Sequence, residues 1–591
     1  MTHQTSIFAA DPCPADEAGP AYCRIPDAPL RVLKFGSSVL RTAADLPRVA
    51  GEIYRQRRDG KRMIVIVSAL AGETDELFAL ARAAGGGDAE GVADLVSLGE
   101  EKTAALLRIA CARLGLDARV VRPEELGIQT SGPQLEAEPA SINLPALSRL
   151  AARHDLLIMP GFVGIQADGS RSLLGRGGSD FTAIFIGGEI GAECVRLYKD
   201  VDGVFDHDPA SEAGDARKFS EVSWSDCLEL ARPLLQPRSV EYAEAKGVLL
   251  EVEAVGSNAP TRVGPVTRPP APPAEEPRLR VALAGFGAVG QAVHARLQDE
   301  PRFEIVSILV RDPHKPRAVD APALITDSVE AFLAADADIF IDAISDAAAA
   351  LELGRHFLAR GCNVVTASKR LIADHRGELR SAAIREAQLR HSASVGGGVP
   401  ILEAVKLARR RGEISELQGV LNGTMNFVLG ALASGTSLED AIAQARTAGL
   451  AEEDPSDDVL GHDVRSKLRI LAAASFGVAD PELEIEPMHA ELAERVRASG
   501  EPWVQLATLR REGQSVRGGA RYVPARLAPD LPVLRREQNY VAIRTQCGRR
   551  WVSSGFGAGG RPTAEAIVAD LYDVARQPAV RDLPRLLVAA R

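Results

Sequence analysis

Val281-Ala-Leu-Ala-Gly285-Phe-Gly287-Ala-Val-Gly290 is an apolar run that stops at a glycine turn and restarts with a helical pattern. The residues from Leu279 to Ala284 predict a strand, and those from Ala288 to Leu297 predict a helix. Between them, Gly285, Phe286, Gly287, Ala288, Val289 and Gly290 form a turn whose outward N–H groups suit a pyrophosphate. A glycine pattern alone is a weak signal; its place between strand and helix gives it weight. Further strands are predicted at 303–310, 339–343 and 363–367, at intervals that fit crossover helices. Residues 279–400 therefore read as a doubly wound α/β dinucleotide-binding domain of the Rossmann kind. The end of its second strand reads Val310-Arg311-Asp312, with Lys315 and Arg317 close behind. An arginine at this place suits a 2′-phosphate, so NADP(H) is favoured over NAD(H).

Downstream lies Gly449-Leu-Ala-Glu452-Glu-Asp-Pro-Ser-Asp457-Asp458-Val-Leu-Gly-His-Asp463-Val-Arg-Ser-Lys467. Acidic groups and a lysine crowd a segment where a core would want apolar side chains. Asp463 and Lys467 are spaced i, i+4, so on a helix they share one face and meet.

Upstream, short β-branched runs at 30–35, 63–68, 155–159, 195–197 and 248–252 alternate with alanine-rich helical stretches. This pattern predicts a second α/β sheet. Its first strand ends in Leu33-Lys34-Phe35-Gly36-Ser37-Ser38-Val39, and a strand-end lysine beside a small-residue turn can neutralise a transferring phosphoryl group. Seven prolines between Ser257 and Arg278 predict a stiff linker. The expected order is a disordered lead (1–29), the first α/β domain (30–256), linker (257–278), the dinucleotide domain (279–400), a further domain (401–553) and a C-terminal segment (554–591).

The chain has 591 residues, 46% of them apolar and 25% charged, with a net charge of −11. That charge argues against a nucleic-acid or anionic-membrane partner, both of which need a basic face. No apolar run approaches the ~18 residues of a membrane helix. The seven cysteines are scattered and odd in number, which predicts reduced thiols in the cytoplasm and neither a disulfide framework nor a zinc site.

Six ordered stretches, the glycine turn and five more, resemble the homoserine dehydrogenase family. Besides the glycine turn and the acidic motif, Asn363-Val-Val-Thr366-Ala-Ser368-Lys369 is similar to its VVTANK, with serine for asparagine. Ser392-Ala-Ser-Val395-Gly-Gly397-Gly-Val399-Pro400 is similar to its EAxVGGGxP turn, with serine for glutamate. Gly419-Val-Leu-Asn422-Gly-Thr424-Met-Asn426 resembles GxLNGTTNY, and Gly555-Phe-Gly557-Ala-Gly559-Gly-Arg-Pro-Thr563-Ala resembles GxGAGxxxTA. The resemblance implies reduction of aspartate semialdehyde by an α+β catalytic and dimerisation domain attached to the Rossmann domain. It makes Lys467 the proton donor, Asp463 its orienting partner, and Glu452, Asp457 and Asp458 substrate-binding. Lys369 would stand beside nicotinamide and substrate, and Thr366 and Gly557 at the cofactor. A monovalent cation, Na⁺ or K⁺, would sit on the backbone carbonyls of Ser392, Val395, Gly397 and Val399.

The first half resembles the aspartate kinases, whose fold is the amino-acid-kinase type of α/β domain. Lys34-Phe-Gly-Ser-Ser-Val39 is similar to KFGGTSV, and Val67-Ser68-Ala-Leu-Ala-Gly-Glu-Thr74-Asp75 to the SAxxxxTD loop. Ser97-Leu-Gly-Glu100 is similar to SxGE, and Leu174-Gly-Arg176-Gly177-Gly178-Ser179-Asp180-Phe-Thr182 to LGRGGSDxT. Lys199-Asp200-Val-Asp202-Gly203-Val-Phe resembles TDVDGVY. The resemblance implies MgATP as phosphoryl donor and catalytic roles for Lys34 and Asp180. Glu100, Arg176, Ser179 and Thr74 would bind aspartate, and Asp200, Asp202 and Gly203 the nucleotide. Departures are Ser37 for glycine, Val39 after the hydroxyl residue, and Ala231-Arg-Pro233-Leu-Leu-Gln-Pro237 for GAKVLxP, which loses a lysine expected near the ATP phosphates. Arg232 and Arg238 are the candidates to replace it.

Together the resemblances imply a fused aspartate kinase and homoserine dehydrogenase, with a homo-oligomeric assembly expected. The alternative is a dehydrogenase whose kinase domain is degenerate and serves assembly. Fused enzymes of this kind commonly carry a pair of ACT regulatory domains in the middle. Here the proline-rich gap is too short to bury such a core, so no built-in reader of threonine or lysine is expected.

Overall fold

The computed structural model describes residues 30–211, 216–231, 234–272, 278–298, 300–318, 324–448, 450, 454–528, 531, 538–557 and 559–576. The chain divides into two compact units, one to either side of residue 275.

In the first unit, Arg-Met-Ile-Val-Ile-Val at Arg62–Val67 is apolar on both faces, as a strand covered on both sides must be. It lies near the middle of an eight-stranded sheet. In sheet order the strands are Glu221–Ser223, Thr261–Gly264, Leu250–Ala254, Val195–Lys199, Leu30–Phe35, Arg62–Val67, Leu156–Pro160 and Ala118–Val120. All neighbours are parallel except Leu250–Ala254 with Thr261–Gly264. Helix Gly178–Glu189 sends Ile184, Phe185 and Ile186 into the core beside Val32, Ile64, Ile66, Leu197 and Val252.

The linker expected at 257–278 is shorter than its prolines suggested. Thr261–Gly264 is a strand of the first sheet, and Arg268 forms an ion pair with Glu221 at 2.6 Å. Lys218 pairs with Ala271 in a further bridge. A proline-rich segment can run along a sheet edge, where no ladder N–H is needed of it. The stretch 273–277 and the expected lead 1–29 lie outside the described residues.

The second unit opens with the predicted Rossmann sheet, six parallel strands in the order Ile325–Thr326, Phe303–Leu309, Leu279–Ala284, Ile339–Asp342, Asn363–Thr366, Leu389–Arg390. The first strand in the chain is central, and the sheet winds outward from it on both sides. Helix Ile401–Arg411 then leads into a second six-stranded sheet. Its order is Glu482–Ile485, Ser515–Pro524, Trp503–Glu512, Ile414–Val420, Gln538–Thr545, Arg550–Phe556, antiparallel but for the first pair. The boundary expected at 553/554 falls inside its last strand. Only the following helix, Gly560–Ala575, returns to the dinucleotide domain. There Glu565 takes Arg296 at 3.0 Å, Tyr572 donates to Glu300 at 2.5 Å, and the Tyr572 ring meets Phe303 edge-on at 5.3 Å. None of the described cysteines is in a disulfide, and among the described residues no helix is long and apolar enough to cross a membrane.

Candidate active sites

The glycine turn has the shape its spacing predicts. Gly285 takes φ +94°, and a Cβ on it would lie 2.4 Å from the Ala343 carbonyl on the neighbouring strand's loop. On Gly290 a Cβ would strike the Gly285 carbonyl at 2.0 Å, while at Gly287 it would point into open space. Two glycines thus close the turn internally, and the third leaves its outer surface bare for a ligand to approach. Helix Ala288–Leu297 begins there with no side chain capping its first N–H groups. These residues fit a dinucleotide's pyrophosphate.

Arg311 is exposed just beyond the second strand. Arg317 is committed elsewhere: it donates to the carbonyls of Asp312, Pro313 and Lys315 and lies 5.9 Å from the Phe286 ring centre. It shapes the loop, whereas Arg311 and Lys315 are exposed.

At the C-terminal end of strand Asn363–Thr366, Thr366 donates to the buried Asp342 at 2.6 Å. Burial pushes the Asp342 carboxyl up to about 6. Ser368, the residue that departs from the family pattern, caps helix Lys369–Ala382 through its hydroxyl. That cap starts the helix at Lys369, whose ammonium reaches Asp463 Oδ1 at 2.5 Å. Lys467 meets the other oxygen, Oδ2, at 2.7 Å and donates to the Leu421 carbonyl at 2.7 Å. The expected i, i+4 pair therefore forms on helix His462–Phe476, and a second lysine from 94 residues away joins it. Burial raises the Asp463 carboxyl, but Lys467 and Lys369 outweigh it and hold it down at about 2.

Asp458 accepts from Asn422 Nδ2 at 2.8 Å, and its carboxyl is raised first by burial and then by Asp463. Asp457 forms a surface ion pair with Arg370. Glu452 lies outside the described residues. Asn422 and Asn539 were missed as site residues. Asn539 donates to the Leu421 carbonyl at 3.2 Å, the same oxygen that holds Lys467. Gly557 packs on Asn539, where a Cβ would come within 2.0 Å of its side chain. The GxGAG stretch is thus seated behind Lys467, a contact that only the folded sheet creates.

In the Ser392–Val399 turn, the serine that replaces glutamate is buried. Its hydroxyl lies 2.6 Å from a Glu403 oxygen and 2.7 Å from an Asp570 oxygen, with one proton to donate between them, and Asp570 also accepts its N–H. The missing carboxylate is supplied in the fold by neighbours, one of them from the C-terminal helix.

In the first unit Lys34 lies 2.7 Å from Asp180 Oδ1, and Lys199 lies 2.7 Å from Asp180 Oδ2. All three are buried. Gly36 makes the room: a Cβ there would sit 2.4 Å from the Lys34 ammonium. Burial raises the Asp180 carboxyl, yet Lys34 and Lys199 hold it at about 2. Glu100, 2% exposed, accepts the Ala69 N–H at 3.2 Å, and burial pushes its carboxyl up to about 7. Arg176 is exposed at the loop tip, Ser179 is buried in the first turn of helix Gly178–Glu189, and Thr74 sits in the first turn of helix Glu73–Ala83.

Asp202 pairs with Lys218 at 2.7 Å, with Gly203 next to it and Asp200 exposed. Arg238, one candidate to replace the lost lysine, is already engaged in part. Its Nη2 donates to the carbonyls of Leu174 and Arg176, and the guanidinium stands 5.2 Å from the Phe181 ring centre. Arg232 lies outside the described residues.

Comparison with known proteins agrees with this division. Residues 29–247 match the amino acid kinase family, 285–390 the homoserine dehydrogenase NAD binding domain, and 400–572 homoserine dehydrogenase. The homoserine dehydrogenase of Corynebacterium glutamicum is 33% identical over 320 residues, which cover 50% of this chain and 72% of that protein. A Thermus thermophilus aspartokinase is 33% identical over 235 residues, 39% of this chain but only 58% of the aspartokinase. A solved homoserine dehydrogenase from Thiobacillus denitrificans is 29% identical, covering 50% of this chain and 73% of that one, at a TM-score of 0.45. The chain belongs to the homoserine dehydrogenase family, and an amino acid kinase family domain precedes its dehydrogenase part.

Proposed function

We propose that the chain carries two activities: phosphorylation of L-aspartate by MgATP to 4-phospho-L-aspartate, and reduction of L-aspartate 4-semialdehyde to L-homoserine with NADPH. The dehydrogenase reading is carried by one observation, the two lysines converging on opposite oxygens of Asp463. Bound nicotinamide cofactor supplies the hydride. As the aldehyde oxygen gains charge, Lys467 donates a proton from the ammonium position not engaged by Asp463 or the Leu421 carbonyl. Asp463 keeps that ammonium aimed, and Lys369 adds a second positive charge beside the aldehyde oxygen. Asp458 and Glu452 receive the substrate's ammonium group.

An active kinase, in preference to a degenerate assembly module, is supported by the buried Lys34–Asp180–Lys199 cluster and by Glu100 beside it. A buried carboxylate with two lysines is costly to keep unless it has work to do. Lys34 and Asp180 act on the phosphoryl group, Glu100 receives the substrate ammonium, and the exposed Arg176 offers a fork for a substrate carboxylate. Purified full-length protein assayed separately for both reactions tests the whole reading. Dehydrogenase turnover without aspartate-dependent ATP turnover would leave only the module.

Two expected results refine it. Because burial raises Glu100 to about 7, it is protonated below that pH and cannot pair with an ammonium. The kinase KM for aspartate should therefore rise as pH falls through about 7, and Glu100→Gln should raise it at all pH values and flatten the profile. An unchanged profile in that variant removes Glu100 from the site. In the dehydrogenase, Arg311→Ala should weaken NADPH by about 1.5–3 kcal/mol, roughly 10- to 150-fold, and leave NADH nearly unaffected. Equal loss for both cofactors would show that Arg311 does not read the 2′-phosphate.

We further read the turn at 392–399 as a monovalent-cation site, supported by its run of buried backbone and the nearby Glu403 and Asp570 carboxylates. The protein is read as a cytoplasmic homo-oligomer. Four buried cysteines outside any disulfide support a reducing compartment, and an open groove on the antiparallel sheet, lined by Thr508, Arg510, Arg517, Gly518 and the exposed Leu527, offers a face for a second copy.

A further inference from the structure

We propose that Lys199 is a second phosphate-facing cation of the kinase site and stands in for the lysine missing from the segment Ala231–Pro237. The inference rests on the aspartate kinase reading of the first unit. Lys199 ends strand Val195–Lys199, which lies parallel to Leu30–Phe35 with Leu197 opposite Lys34. Side chains two apart on a strand share a face, so Lys199 projects on the same side as Lys34, at the C-terminal edge of a parallel sheet where ligands bind. Asp180 grips both ammoniums, one on each oxygen, at 2.7 Å.

One carboxylate cannot neutralise two ammoniums. With Lys34 5%, Asp180 6% and Lys199 8% exposed, the surplus positive charge is held out of water, and that favours an anionic ligand. Lys199 also donates to the Leu234 carbonyl at 3.0 Å. Its ammonium thus already touches the segment from which the lysine is missing. The resembled family's motif has threonine at this place, so this lysine is a feature of this chain.

In the transfer, an oxygen of the aspartate side-chain carboxylate forms a bond to the γ-phosphorus of MgATP. The bond from that phosphorus to the β–γ bridging oxygen breaks, and its electron pair leaves on ADP; no proton moves. Negative charge on the transferring group and the departing oxygen has to be met by fixed positive groups. Lys34 and Lys199, held apart by one carboxylate, supply two.

The test compares Lys199→Met and Lys199→Arg with wild type in full-length protein, with dehydrogenase activity and thermal unfolding as controls. Lys199→Met should lower kinase kcat by roughly 10²–10³-fold and move the aspartate KM less than about threefold. Lys199→Arg should recover part of kcat, with dehydrogenase turnover and unfolding unchanged in both. A kcat for Lys199→Met within about threefold of wild type overturns the proposal while the kinase reading stands. Parallel loss of kcat, aspartate affinity and thermal stability also overturns it, in favour of a brace. Wild-type protein without aspartate-dependent ATP turnover overturns the kinase reading itself and this proposal with it.

Discussion

Lys467→Ala is expected to lower aldehyde reduction by roughly 10²–10⁴-fold while leaving NADPH binding close to wild type, because one general acid contributes about that factor. The geometry separates the two properties. Lys467 is fixed by Asp463 and by the Leu421 carbonyl, which Asn539 also holds. The glycine turn that receives the pyrophosphate is in a different part of the unit, between Leu279–Ala284 and Ala288–Leu297. Fluorescence titration with NADPH and steady-state turnover on the same preparation would read them independently. Turnover within a few-fold of wild type would remove Lys467 from the chemistry and leave Lys369 as the remaining lysine on Asp463.

Removing the Asp180 carboxylate should have the largest effect on the first unit. Asp180→Ala leaves the Lys34 and Lys199 ammoniums buried and facing each other, and breaking such a pair typically costs about 3–5 kcal/mol. For a domain of this size that corresponds to a fall of roughly 6–20 °C in its unfolding transition. Kinase turnover should be lost and dehydrogenase turnover kept. The wild-type contribution has a defined pH range. Asp180 titrates at about 2 in the folded protein, below its ordinary value of 3.8, so its stabilisation is complete above pH about 4 and fades as pH falls towards 2. Calorimetry across that range should find wild type and Asp180→Ala converging in acid. Equal unfolding temperatures at neutral pH would mean that the lysines find other partners or shed their protons.

What the sequence made legible was local. The glycine turn, the strand-end lysine and the i, i+4 spacing of Asp463 and Lys467 are each set by a few neighbouring residues, and each forms as expected. What it hid was convergence over long separations. Lys199 and Asp180 are 19 apart, Lys369 and Asp463 are 94 apart, and Asn539 and Leu421 are 118 apart. No periodicity announces such meetings; sheet order and helix packing create them. Charge alone misled in two places. Arg317 and Arg238 looked fully available for phosphate, yet both already donate to carbonyls of the loops they brace. Proline content misled at 261–264, because Pro260 and Pro265 flank that short strand and none lies inside it, so its ladder N–H groups stay available to neighbours on both sides.

The helix Gly560–Ala575 has a consequence for how the protein is made. It packs on the very first helix of the dinucleotide domain, and a Cβ on Gly560 would come within 2.7 Å of the Ala288 carbonyl. Every described strand of the first unit has been translated by Gly264, but the dinucleotide domain waits for its last partner across almost the whole second half of the chain. At about 5–20 residues per second, roughly 15–60 s of synthesis separate those two moments. A ribosome in mid-chain would carry a finished first sheet beside a glycine turn still lacking the helix that backs it. Nascent chains stalled short of Gly560 should accordingly resist protease in their first half while remaining cleavable around Ala288–Leu297.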